Sequence, residues 1–120
     1  MTKVKLISFG FKYGKPRANF IFDISFLRNP KLMGKWAENI WYLTDEMRKY
    51  VLGQKDAKKF IKLTTPFIKF VAKKTDCVVG FGCTGGHHRS VAITDEVGRR
   101  LKKTGGFDVE IEHNDTSRVI

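Results

Sequence analysis

The sequence predicts an α/β fold: a small, open, mainly parallel sheet of about four strands with helices packed on it. Three observations carry this. Short β-rich apolar runs alternate with segments of helical periodicity along the chain. The segment Val78 to His113 runs strand, glycine-rich loop, helix, strand, which is a βαβ unit with a right-handed crossover and parallel strands. Phe20 to Phe26 (FIFDISF) is mostly apolar on both alternating faces, as strands of parallel sheets usually are.

The elements follow in order. Val4 to Phe9 (VKLISF) is the first strand, and Gly10 to Arg17 (GFKYGKPR) a basic loop closed by Pro16. Phe20 to Phe26 is a second strand, buried on both faces, in which Asp23 needs a partner. Asn29 to Trp41 is irregular, punctuated by Pro30 and Gly34, with Trp36 and Trp41 as packing anchors. Thr44 to Val51 forms a short helix, with Thr44 as N-cap and acids in the first turn.

Asp56 to Lys74 is the longest helical pattern. Ala57, Phe60, Ile61, Thr64, Phe67, Ile68 and Val71 form its apolar stripe, and Lys55, Lys58, Lys59, Lys62, Lys69 and Lys73 its basic face. Pro66 lacks the backbone donor a helix interior needs, so it must kink or split this helix. Val78 to Gly82 (VVGFG) is a strand. Arg89 to Lys103 is a helix with Ile93, Val97 and Leu101 on one stripe, ended by Gly105 and Gly106. Val109 to His113 (VEIEH) alternates and forms the last strand.

The 120 residues fit one domain, spanning 1–120, with one core. Residues 116–120 are expected to fray. The net charge is +11, a balance that attracts polyanions such as RNA, DNA, anionic membranes or phosphorylated small molecules. Cys77 and Cys83 on one strand stand ~20 Å apart, too far for a disulfide. No apolar run approaches a membrane span, and the start is too short and charged for a signal peptide, so a reducing cytoplasmic setting is expected. Oligomeric state is left open.

In a parallel sheet, ligands bind beyond the carboxyl ends of the strands. That places Phe9–Arg17, Asp23–Arg28, Cys83–Arg89 and His113–Asp115 on one rim. The densest chemistry there is GCTGGHHRS, Gly82 to Ser90. One reading is a phosphate cradle. Gly85 and Gly86 permit close backbone approach. The N–H groups of the following helix favour an anion. Arg89 can fork onto phosphate oxygens, and Thr84, His87 or His88, and Ser90 are further donors. A second reading is a cysteine phosphatase. Cys83 to Arg89 obeys C-x5-R between a strand and a helix, with Cys83 as nucleophile and Arg89 as clamp. Its general acid would be Asp115, Asp23 or Asp45. A metal site built on His87, His88, Cys83 and His113 matches no standard spacing, and no metal or cofactor is expected. Gly10 to Pro16 is one residue short of a Walker A loop, with Pro16 where Ser or Thr must hold magnesium.

Four blocks together resemble the C-terminal domain of the RapZ family of bacterial RNase adapters: SFGFKYG (Ser8–Gly14), FDISFLRNP (Phe22–Pro30), YVL (Tyr50–Leu52) and GCTGGHHRSVAI (Gly82–Ile93). The resemblance runs over nearly the whole chain. It implies a domain that binds glucosamine-6-phosphate and RNA and acts as a sensor or adapter, presenting a small regulatory RNA to an endoribonuclease. It maps the anion pocket onto Cys83, Thr84, Gly85, Gly86, His88, Arg89 and Ser90, with Lys12 and Tyr13 from the first loop and His113 and Asp115 after the last strand. The family carries Arg where this chain has Ser25, and His-Arg-Asp where it has His113-Asn114-Asp115. The family's N-terminal P-loop domain with its Walker A motif finds no counterpart here, so a stand-alone version of the C-terminal domain is expected. A sugar phosphate or a nucleotide is the expected ligand, and RNA a candidate partner for Lys58, Lys62 and Lys69.

Overall fold

The computed structural model describes residues 1–30 and 42–117. The order is β1 (Lys3–Gly10), a 3-10 turn (Phe11–Tyr13), β2 (Phe20–Asp23), α1 (Asp45–Gly53), α2 (Lys55–Ala72), β3 (Cys77–Cys83), α3 (Arg89–Thr104) and β4 (Asp108–His113). The strands form one open sheet in the order β2-β3-β1-β4, and every adjacent pair is parallel. The predicted α/β class is what the chain adopts. In the βαβ unit, β3 and β4 are parallel but not neighbours, because β1 lies between them.

The helices pack on one face of the sheet. Val4 and Leu6 of β1 and Val79, Phe81 and Cys83 of β3 join Ile61, Ile68, Ile93, Val97 and Leu101 of the helices in a single core. The stripe predicted for α3 is therefore its buried face. Among the described residues no helix packs on the sheet's other face. Phe9 and Phe11 lie edge to face, 4.9 Å between ring centroids, over the space that Gly82 leaves beside them. Outer-face Lys3 and Lys5 of β1 pair with Glu110 and Glu112 of β4.

Three expectations change. The second strand is shorter than predicted and is not buried on both faces. Phe20 and Phe22 turn inward, where they meet Phe67 and Phe60, while Ile21 is 38% exposed. The reason is that β2 is the edge strand of a sheet on which the described helices cover one face. The chain leaves the ladder at Ile24, whose N–H still reaches the Gly82 carbonyl at 2.8 Å. Second, of the kink or split expected at Pro66, the split does not occur: α2 is continuous from Lys55 to Ala72 with Pro66 inside it. Burial of Ile61, Thr64, Thr65 and Ile68 around the proline holds the helix together. Third, Phe67 sits at the margin of the apolar stripe, 40% exposed, with its ring edge to face with Phe20.

Thr44 caps α1 as predicted, its hydroxyl accepting from Met47 N–H at 3.2 Å, with Asp45 and Glu46 in the first turn. Trp36 and Trp41 lie outside the described residues. Among the described residues no helix is long and apolar enough to cross a membrane.

Candidate anion-binding site

The carboxyl ends of β1, β2 and β3 converge on one small recess. It is lined by Lys12 from the turn after β1, Asn29 from the segment after β2, and residues 83–89 from the end of β3 and the loop into α3. Its volume is about 120 Å³. Sites that enclose a whole small molecule measure roughly 300–1,000 Å³, so this one has room for a head group only. Lys12 and Arg89 bring positive charge, and among the described residues no carboxylate lines it.

The loop is shaped by two glycines in backbone contact. A Cβ on Gly86 would stand 2.5 Å from Gly10 N, and one on Gly10 would stand 2.5 Å from the Gly85 carbonyl carbon. Gly86 also has φ of 76°, a left-handed conformation that L side chains rarely adopt. Only chains without side chains at both places can cross so closely. Lys12 N–H then donates to Thr84 O at 3.3 Å, tying the two loops. The Lys12 ammonium lies 5.1 Å from the centre of the Tyr13 ring, a cation–π distance.

The loop leads into α3, whose N-cap residue His88 makes no side-chain capping bond. The first-turn amides and the helix dipole there favour an anion. His87 and His88 are both buried rather than exposed.

Arg89 is placed differently from a free clamp. Its Nη1 donates to Ser25 O at 2.9 Å and Leu27 O at 3.0 Å, so it staples the turn after β2 to the loop. Gln54 secures the same turn, its side chain exchanging two hydrogen bonds with the backbone of Arg28 at 2.8 and 3.0 Å. Together they fix the position of Asn29, which follows. The buried Cys83 thiol donates to Ser90 Oγ at 3.3 Å and lines the recess.

Of the residues predicted for the site, Lys12, Cys83, Thr84, Gly85, Gly86, His88 and Arg89 line the recess. Tyr13, Ser90, His113 and Asp115 do not line it: Tyr13 lies beneath the Lys12 ammonium, and the other three tie together the elements around the recess. Asp115 Oδ2 accepts from Gly10 N–H at 2.7 Å. His113 bridges Ser8 Oγ (2.6 Å, at Nδ1) and Asp95 Oδ1 (2.9 Å, at Nε2), and Asp95 meets Arg48 at 3.2 Å. Burial opposes ionisation of Asp95, but the His113 and Arg48 interactions outweigh it and hold its carboxyl below the usual range. Asn29 and His87 line the recess as well. Asn29 stands before Pro30, a turn-initiating pair, and that was the signal for it.

None of the three acids considered for a phosphatase lines the recess. Asp23 accepts from Ser25, whose hydrogen bonds, helped by the Arg89 charge, keep its carboxyl below the usual range and so ionised. Among the described residues, no three His, Cys, Asp or Glu side chains gather where they could hold a metal ion. Lys58 lies on the outer face of α2 beside Lys55 and Lys59, whereas Lys62 and Lys69 also border a cleft toward α3.

Fold and site together define a parallel α/β domain with a glycine-containing loop and a small recess between a central strand and a helix. The comparisons with known proteins agree. The family described as "RapZ C-terminal domain" matches residues 2–117, and the chain belongs to it. Relatives each named "Nucleotide-binding protein" come from Corynebacterium aurimucosum, 44% identical over 98% of this chain, and Saccharopolyspora erythraea, 38% identical over 98%. A relative of the same name from Brevibacillus brevis is 36% identical over 96%. The match covers 42%, 42% and 41% of those proteins, so the chain spans about two fifths of the length of the curated relatives it matches.

Proposed function

We propose that this chain is a ligand-sensing module that grips the phosphate of a phosphorylated small molecule in the recess at the start of α3. The observation that carries the reading is the recess itself: head-group-sized, lined by Lys12 and Arg89 and, among the described residues, by no carboxylate, and set at the start of a helix whose N-cap side chain makes no capping bond. The ligand is a sugar phosphate of the glucosamine-6-phosphate kind or a nucleotide. Relatives named as nucleotide-binding proteins support the wider class. The small volume favours recognition of the phosphate, with the rest of the ligand lying outside it. The basic outer face of α2, with Lys58, Lys62 and Lys69, is the candidate surface for RNA, and the module acts as a sensor or adapter for that partner.

Calorimetric titration tests this. Glucosamine-6-phosphate and AMP should bind and glucosamine should not. Cys83→Ser should leave that binding near normal. Equal binding of glucosamine would overturn the reading. Turnover of an aryl phosphate by the wild type, lost in Cys83→Ser, would establish the phosphatase alternative, in which Cys83 attacks and Arg89 clamps. RNA retention should fall steeply with added salt; a flat response removes the RNA part.

A further inference from the structure

We propose that the cleft between α2 and α3 is a second anion site, separate from the loop recess, which takes a small molecule bearing a chain of phosphates. Its cavity measures about 640 Å³, within the roughly 300–1,000 Å³ of sites that hold a small molecule. Lys62 and Lys69 face it from α2, and Arg99, Arg100 and Lys103 from α3. Among the described residues no carboxylate lines it.

Counter-charge from the protein is scarce there. Glu96 binds Arg99 at 2.7 Å and Arg100 at 2.8 Å, and the pair, Arg99 foremost, lowers its carboxyl to about 2 against the opposing effect of burial. Glu96 is thus one fixed negative charge. Among the described residues, Lys62, Lys69 and Lys103 pair with no carboxylate. The α3 dipole accounts for cations in its last turn. It does not account for Lys62 and Lys69, which come from the interior of another helix.

The second observation is independent of charge. Thr65 lines the same cleft, is 4% exposed, and its Oγ1 has no hydrogen-bond partner, alone among the buried side-chain polar atoms of the described residues. A threonine in a helix commonly gives its hydroxyl to the carbonyl four residues back. Thr94 does so to Ser90 at 2.6 Å, and Thr104 to Arg100 at 3.2 Å. Thr65 does not, and a buried hydroxyl left this way costs about 1–3 kcal/mol. Turned about its Cα–Cβ bond toward the cleft, the hydroxyl would find its acceptor in a phosphate oxygen held between the lysines.

The lining chooses among anions. Single-stranded nucleic acid sites add aromatic platforms on which bases stack, and among the described residues no aromatic side chain lines this cleft. A chain of phosphates needs only cations and donors. The two sites share no lining residue. Ten residues of α3 separate Arg89 from Arg99, an axial distance of ~15 Å.

Amide-resolved NMR titration with sodium tripolyphosphate tests the proposal, at about 0.15 M ionic strength, where loose surface attraction is screened. Amides of Thr65, Lys69 and Arg100 should shift, while orthophosphate should move residues 84–89. Lys69→Gln with Lys103→Gln should weaken the cleft response about tenfold or more and leave the loop response unchanged. Thr65→Val should weaken it without lowering Tm, since the hydroxyl has no partner to lose. Silent cleft amides, or unchanged affinity in the lysine double variant, would overturn the proposal. So would a fall in Tm for Thr65→Val, or an oligouridylate that shifts the cleft where tripolyphosphate does not. Because the two sites report through different amides, failure here is distinct from failure of the loop recess.

Discussion

Asp115, just beyond the end of β4, reaches across to the end of β1, where its Oδ2 accepts the Gly10 N–H at 2.7 Å in a buried setting. Gly10 is the residue against which the Gly85–Gly86 loop closes. A carboxylate that does not line the recess therefore fixes one of its walls. Asp115→Ala should leave a buried N–H unsatisfied and destabilise the fold by about 1–3 kcal/mol. Asp115→Asn keeps an acceptor and should lose less. Denaturant melts of the two variants check the ranking, and phosphate affinity should fall in the same order.

Gly86 and Gly85 are adjacent but should respond differently to alanine. A Cβ on Gly86 meets backbone atoms of Phe9 and Gly10, none of which can swing aside, and its φ is 76°. Gly86→Ala should cost about 3 kcal/mol or more and abolish phosphate binding. At Gly85, which has no positive φ, the nearest atom is 3.1 Å away on the His87 ring. Gly85→Ala should be far milder. Equal melting temperatures for the two variants would contradict the loop crossing.

The sequence made the βαβ unit legible because its cues are local: the stripe Ile93, Val97, Leu101 follows directly on a glycine-rich loop. The core of the site was legible for the same reason, since residues 83–89 are contiguous. What escaped depends on contacts between distant residues. Whether β2 has neighbours on both sides is a property of sheet order, so FIFDISF looks like a central strand and is an edge. His113 and Asp115 look like ligands of the pocket. Their partners Ser8 and Gly10 each lie 105 residues away in sequence, so the bracing role could not be seen. The staple from Arg89 to the carbonyls of Ser25 and Leu27 was hidden likewise.

That staple gives Arg89 two tasks, and a lysine can perform neither fully. Its ammonium lacks the planar fork that serves two carbonyls with one nitrogen and leaves others toward the recess. Arg89→Lys should lower stability by about 2 kcal/mol as the two carbonyls lose a charged donor. It should also weaken phosphate binding about tenfold or more, partly by releasing Asn29. If binding falls while the melt is unchanged, the carbonyl contacts do not hold the turn.

Two neighbouring acids on α3 set the acid limb of stability. Asp95 is held below its usual range: burial works against ionisation, and His113 and Arg48 more than reverse it. Glu96 is lowered to about 2, chiefly by Arg99. A carboxylate depressed in the folded state binds fewer protons than in the unfolded chain. It contributes stability above the unfolded pKa and loses it as pH falls through the folded one. For Glu96 that window runs from 4.5 down to about 2; for Asp95 it opens at 3.8 and extends below. The melting temperature should therefore drop across this range. Asp95→Asn with Glu96→Gln should start from a lower Tm near neutrality, because the Arg48, His113 and Arg99 contacts lose their charge. Its Tm should then decline less steeply in acid. A slope equal to that of the wild type would show that other carboxylates govern acid unfolding.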